Sequence, residues 1–60
     1  MELDDKIVEI LHLEYPLTTN KIAIKSERSY STVRNALEKL HSEGIVIKKK
    51  YFGLNYWYVK

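Results

Sequence analysis

The chain has 60 residues and a formal net charge of +2. At that length only about 60% of the extended surface can be hidden on folding, so a single domain spanning residues 1–60 is expected, with no room for a separate catalytic or effector domain. The absence of cysteine excludes disulfides and thiolate metal sites as stabilising staples.

The apolar runs Ile45-Val46-Ile47 and Tyr56-Trp57-Tyr58-Val59 fall far short of the roughly 20 residues that span a bilayer. The acidic N-terminus is unlike a secretory signal, so a cytoplasmic location is expected, at the nucleoid if the chain binds DNA. Charge is unevenly divided. Residues 1–20 hold Glu2, Asp4, Asp5, Glu9 and Glu14 against Lys6, a net of −4, whereas residues 21–60 hold nine bases against Glu27, Glu38 and Glu43, a net of +6. Such segregation points to one face turned toward a polyanion.

Leu3, Ile7, Ile10 and Leu11 recur at helical spacing with acidic residues between them, which predicts an amphipathic first helix. Its acidic start suits the helix dipole. Pro16 restricts Tyr15 and lacks an amide donor, so the helix should stop near Glu14, leaving Pro16-Leu17 as a connector. Thr18 or Thr19 caps a short second helix running to about Lys25, with Ile22 and Ala23 facing inward. Ser26-Glu27-Arg28 forms a break, and Ser29 caps a third helix to Ser42. In that helix Val33, Ala36, Leu37 and Leu40 make an apolar stripe, while Arg34, Asn35, Glu38 and Lys39 face outward.

Gly44 ends the third helix, after which β-branched residues signal strand. Ile45 to Ile47 lead into Lys48, Lys49 and Lys50. Tyr51 to Asn55 are expected as a turn and Tyr56 to Lys60 as the second strand, with Trp57 and Val59 against the helices and Tyr56 and Tyr58 pointing away. The expected fold is α+β: three helices followed by a two-stranded β-hairpin.

Two helices joined by a short turn, followed by a hairpin, make a winged helix-turn-helix, in which the helix after the turn enters the DNA major groove and the hairpin is the wing. The start of the third helix suits this use. Ser29, Tyr30, Ser31, Thr32, Arg34 and Asn35 precede its first carboxylate, Glu38. Serine and threonine hydroxyls bind phosphates or either base type, arginine forks onto guanine and asparagine pairs with adenine. Lys48, Lys49 and Lys50 would clamp phosphates from the wing, or guard an exposed strand edge. Lys21 and Lys39 are further cationic candidates.

The run SYSTVRNALEKLHSEGIV resembles the helix-turn-helix of GntR-type winged-helix regulators, with a Ser/Thr-rich turn, a Thr-Val-Arg step, an Ala-Leu pair, a second Leu and a Glu-Gly before two apolar residues. The pattern is shared more loosely by MarR-type and archaeal regulators. It extends back through Thr19-Asn20-Lys21-Ile22-Ala23 and covers roughly two-thirds of the chain. The resemblance implies DNA contacts from Ser29, Tyr30, Ser31, Thr32 and Arg34, with Asn20 near the backbone. Tyr30 stands where that pattern has arginine, and by periodicity it also fits the core edge, so both positions remain open. Ser26 and Arg28 replace apolar turn residues, and Glu27 replaces a glycine, so the turn is expected to be less buried and Arg28 available for a phosphate.

The expectation is a sequence-specific, homodimeric, double-stranded DNA-binding regulator of transcription. Its dimer interface would be the acidic first helix or the aromatic second strand. Protein docking, and nonspecific or single-strand binding that stacks bases on Tyr51, Phe52, Tyr56 and Tyr58, are the alternatives. His12 and His41 lack neighbours at ligand spacing, and no catalytic motif stands out, so no metal, cofactor, small-molecule ligand, membrane contact or enzymatic activity is expected.

Overall fold

The computed structural model describes residues 2–60, ordered as α1 (Glu2–Leu13), β1 (Leu17–Thr18), α2 (Thr19–Ser26), α3 (Tyr30–Ser42), β2 (Val46–Tyr51) and β3 (Leu54–Val59). This is a winged helix-turn-helix, three helices packed on one face of an antiparallel sheet. Ile7 and Leu11 of α1, Ile22 and Ala23 of α2, and Val33, Leu37 and Leu40 of α3 meet Val46 and Trp57 of the sheet in one buried cluster. Burying each large apolar side chain stabilises the fold by about 1.5–3 kcal/mol relative to exposure.

Trp57 is the largest of these and is fully buried. Its indole N–H donates to Thr19 Oγ1 at 2.8 Å, which satisfies a polar group that burial would otherwise penalise and ties β3 to the first turn of α2.

The sheet has three strands, not the two expected, in the order β1-β3-β2. The connector after Pro16 supplies the additional strand, Leu17 pairing with Trp57 and Thr18 with Tyr56. The wing turn is also tighter than the five-residue turn expected over Tyr51 to Asn55. The β2–β3 ladder continues to the pair Tyr51 and Leu54, leaving Phe52 and Gly53 as a two-residue loop. Both have positive φ, 50° and 81°, the backbone requirement of a type I′ hairpin turn.

The helix ends are set by local chemistry. Thr18 Oγ1 accepts the Lys21 amide (3.3 Å) to cap α2, and Ser29 Oγ accepts the Thr32 amide (3.3 Å) to cap α3. At the far end of α3, Gly44 lies at φ 77°, while its amide donates to the His41 carbonyl and that of Ile45 donates to the Leu40 carbonyl. That bond pair is a Schellman termination. The same pair closes α2, Glu27 N–H to the Ile24 carbonyl and Arg28 N–H to the Ala23 carbonyl, but the left-handed residue there is Glu27, at φ 60°.

Glu27 thus occupies the conformation for which the GntR-type pattern places glycine. A Cβ in this region costs about 1–2 kcal/mol. Glu27→Gly is therefore expected to stabilise the domain by about 1 kcal/mol, seen as a rise of roughly 4–8 °C in the thermal midpoint. An unchanged or lowered midpoint would count against the strain.

Candidate nucleic-acid interface

The side of α3 turned away from its buried stripe presents Ser31, Arg34, Asn35 and Glu38, with Tyr30 one turn before Arg34 at the border of the buried stripe, all exposed. Tyr30 is 53% exposed, so its ring stays outside the core although its position borders the buried stripe. Among the described residues, Arg34 enters no ion pair. With Asn35 beside it, α3 carries two side chains with bidentate base-reading geometry on an open helix face.

Glu38 Oε1 and Oε2 accept hydrogen bonds from Lys48 Nζ at 3.3 and 3.2 Å, and that ammonium stands 5.7 Å from the Trp57 ring centroid. The pair joins the middle of α3 to the root of the wing. It neutralises the helix's one carboxylate, and it occupies Lys48, which was expected to reach a phosphate.

Strand geometry divides the wing lysines further. Side chains alternate between sheet faces, so three consecutive lysines cannot share a surface. Lys48 pairs across the ladder with Trp57 and lies on the helix side, as does Lys50, opposite Asn55. Lys49 pairs with Tyr56 and lies on the outer side, away from α3. Only Lys50 of the three is both on the α3 side and exposed without a salt bridge among the described residues.

Other expected contacts are placed elsewhere. The ammonium of Lys39 binds the Asp4 carboxylate of α1, so Lys39 belongs to the α1–α3 seam and not to the open face. The hydrogen bond it donates to Asp4 raises its pKa above the usual lysine value, against the lowering effect of desolvation, with Coulombic support from Asp4 and Glu43. A raised folded-state pKa means that this contribution is present at neutral pH and is lost only as pH climbs through that value.

Ser29 and Thr32 are exposed but committed to the cap, Ser29 Oγ donating to Thr32 Oγ1 at 2.8 Å while it accepts the Thr32 amide. Both were expected at DNA, and their hydroxyls reach a phosphate only by sharing this bond. Arg28 is exposed in the turn as expected, but Ser26 is only 2% exposed and donates to the Ala23 carbonyl, so the turn is partly buried. Asn20 is exposed on the first turn of α2. Lys21 lines a hollow with Pro16, Thr18 and Tyr56, none of which belongs to α3.

The residues brought together on one face are therefore Tyr30, Ser31, Arg34, Asn35 and Lys50, with Glu38 and Lys48 as a neutral strut. The strut was missed at the sequence level because its partners are ten residues apart in different elements. His41 packs edge-on against Trp57, 6.2 Å between centroids, and no cluster of three or more metal-ligating side chains occurs among the described residues.

The open third helix beside a β-hairpin defines the chain as a winged-helix domain. In line with this, it superimposes on the Zalpha domain of Carassius auratus PKZ, solved in complex with Z-DNA, with a TM-score of 0.89 at 20% identity over 98% of this chain and 94% of that one. It also matches the ORF112 Zalpha of Cyprinid Herpesvirus3, solved to describe its binding mode to Z-DNA, with a TM-score of 0.86 at 24% identity over 98% and 93%. At these identities the likeness establishes the fold. No family model matches the chain, nor does any curated protein.

Proposed function

We propose that the chain binds double-stranded DNA through the first half of α3, with the helix side of the wing alongside, and acts as a sequence-reading regulator of transcription. The observation that carries this reading is the open α3 face, where Arg34 and Asn35 are exposed and the helix's one carboxylate is held by Lys48. The resemblance of SYSTVRNALEKLHSEGIV to GntR-type regulators supports the same use of the helix. As a homodimer the protein would meet half-sites about 34–36 Å apart.

A second reading, recognition of a left-handed duplex by its backbone shape, is favoured by the two Zalpha structures, both solved with Z-DNA. It would draw on Lys50, Ser31 and Tyr30 more than on base-edge contacts.

A titration against random right-handed duplexes and against an alternating dC-dG duplex locked in the left-handed form, at several salt concentrations, tests both. Motif enrichment supports the regulator; preference for the left-handed duplex without a motif supports shape recognition. Absence of affinity for either at moderate salt would overturn duplex binding. In the same assay Glu38→Gln is expected to strengthen binding and to steepen the salt dependence by about one phosphate contact, because Lys48 is released and a repulsive charge removed.

A further inference from the structure

The face of the sheet turned away from the helices has its own chemistry. Across its middle row run Thr18, Tyr56 and Lys49, paired through β3. Tyr58 lies two residues along β3 on the same side, with the Tyr15 ring 6.2 Å from its own, and Tyr51 stands 5.9 Å from Tyr56. Four of the chain's five tyrosines thus gather on a surface remote from α3. Phe52, fully exposed at the tip, extends the row.

Two hollows adjoin here and share Pro16 and Tyr56. One, of about 230 Å³, lies among Pro16, Tyr51, Phe52, Tyr56 and Tyr58. The other, of about 290 Å³, is bordered by Thr18, Lys21 and Lys25. Among the described residues the one carboxylate lining either hollow is Glu14, and Lys25 neutralises it at 2.9 Å. An aromatic floor with Lys21 and Lys49 at its margins, neither in a salt bridge among the described residues, is complementary to an anionic chain carrying flat rings.

We propose that this outer face is a second nucleic-acid site, which takes a short single-stranded segment by stacking its bases on the tyrosines and neutralising its phosphates with Lys21 and Lys49. The ring pairs are inclined at 56° and 63° and so are not stacked on each other, and Tyr15 and Tyr51 are exposed while Tyr56 and Tyr58 are half-buried. Same-side residues on β3 are about 7 Å apart, twice the roughly 3.4 Å rise of stacked bases, so the bound strand is extended with one base per ring. Every base has a π-face, so the site is tolerant of sequence. It is independent of duplex binding by α3.

Fluorescence anisotropy with labelled oligothymidylate and oligouridylate tests this and separates DNA from RNA. Tyr56→Leu is expected to weaken binding roughly 5- to 150-fold, the loss of one stacked base, with Tyr56→Phe restoring it. Tyr51→Ser and Phe52→Asn, at exposed positions, are expected to weaken it without unfolding the domain, as thermal unfolding verifies. Lys49→Ala is expected to reduce the salt slope by about one phosphate contact. Arg34→Ala leaves oligonucleotide binding unchanged. The proposal is overturned if neither oligonucleotide binds at moderate salt, or if Arg34→Ala weakens binding as much as Tyr56→Leu, which would place single strands on α3. It is equally overturned if the tyrosine changes abolish self-association in sedimentation while leaving oligonucleotide affinity intact, which would assign the face to a second copy of the chain.

Discussion

Trp57→Ala is expected to leave most of the protein unfolded at 25 °C. Replacing a fully buried tryptophan by alanine costs about 3–5 kcal/mol in lost transfer free energy and residual cavity. A core in a chain below about 70–80 residues rarely supplies more than about 3–5 kcal/mol of net stability, so the loss is comparable to the whole. Trp57 is also the junction of three elements, held to α2 through Thr19 Oγ1, edge-on to His41 of α3 and under the Lys48 ammonium of β2. A urea titration followed by far-ultraviolet circular dichroism checks this without needing the lost indole as a reporter. Thr19→Val is the milder companion, since it leaves the buried N–H without an acceptor at a cost of about 1–3 kcal/mol. A cooperative transition for Trp57→Ala near the parent midpoint would mean that the core does not depend on this side chain.

Arg34→Ala is expected to remove about 1–3 kcal/mol of discrimination between the best duplex and a mismatched one, with stability unchanged within about 0.5 kcal/mol. The side chain is exposed on α3, away from the buried stripe of Val33, Leu37 and Leu40, so its removal opens no cavity. Arg34→Lys separates charge from geometry. Lysine keeps the cation but lacks the planar fork that fits a guanine edge, so nonspecific affinity should persist while discrimination falls. Parallel titrations of the parent and both variants against matched and mismatched duplexes give the comparison. Equal weakening on all sequences, with lysine restoring it, would confine Arg34 to phosphate contact and favour backbone-shape recognition.

Much of the architecture was legible in the order of residues because it follows from local rules. The 3.6-residue recurrence of Val33, Leu37 and Leu40 specifies which side of α3 is buried, and Thr18 and Ser29 cap their helices with their own hydroxyls. Gly44 marks the left-handed end of α3, whereas the left-handed Glu27 at the end of α2 carries no such signal in its residue type. What stayed hidden depends on partners distant in sequence. Leu17 and Thr18 show no strand periodicity in two residues, and they become a strand only because β3 offers open hydrogen-bonding groups beside them. Lys39 and Arg34 look alike along the chain, both outward on one helix, yet Asp4 of α1 claims the first, while among the described residues no carboxylate pairs with the second.

For this protein the sequence by itself determined three helices and a wing, the buried stripe of α3 and the open polar start of that helix, because helix periodicity, capping and apolar burial act over a few neighbouring residues. Tertiary structure alone decided the third strand, the Glu38–Lys48 strut and which of Lys48, Lys49 and Lys50 face the helices. The physical reason is that ion pairs and strand registers depend on which surfaces the folded chain brings within a few ångströms. In the sequence those lysines form one basic run, while in the fold they serve two surfaces of different chemistry.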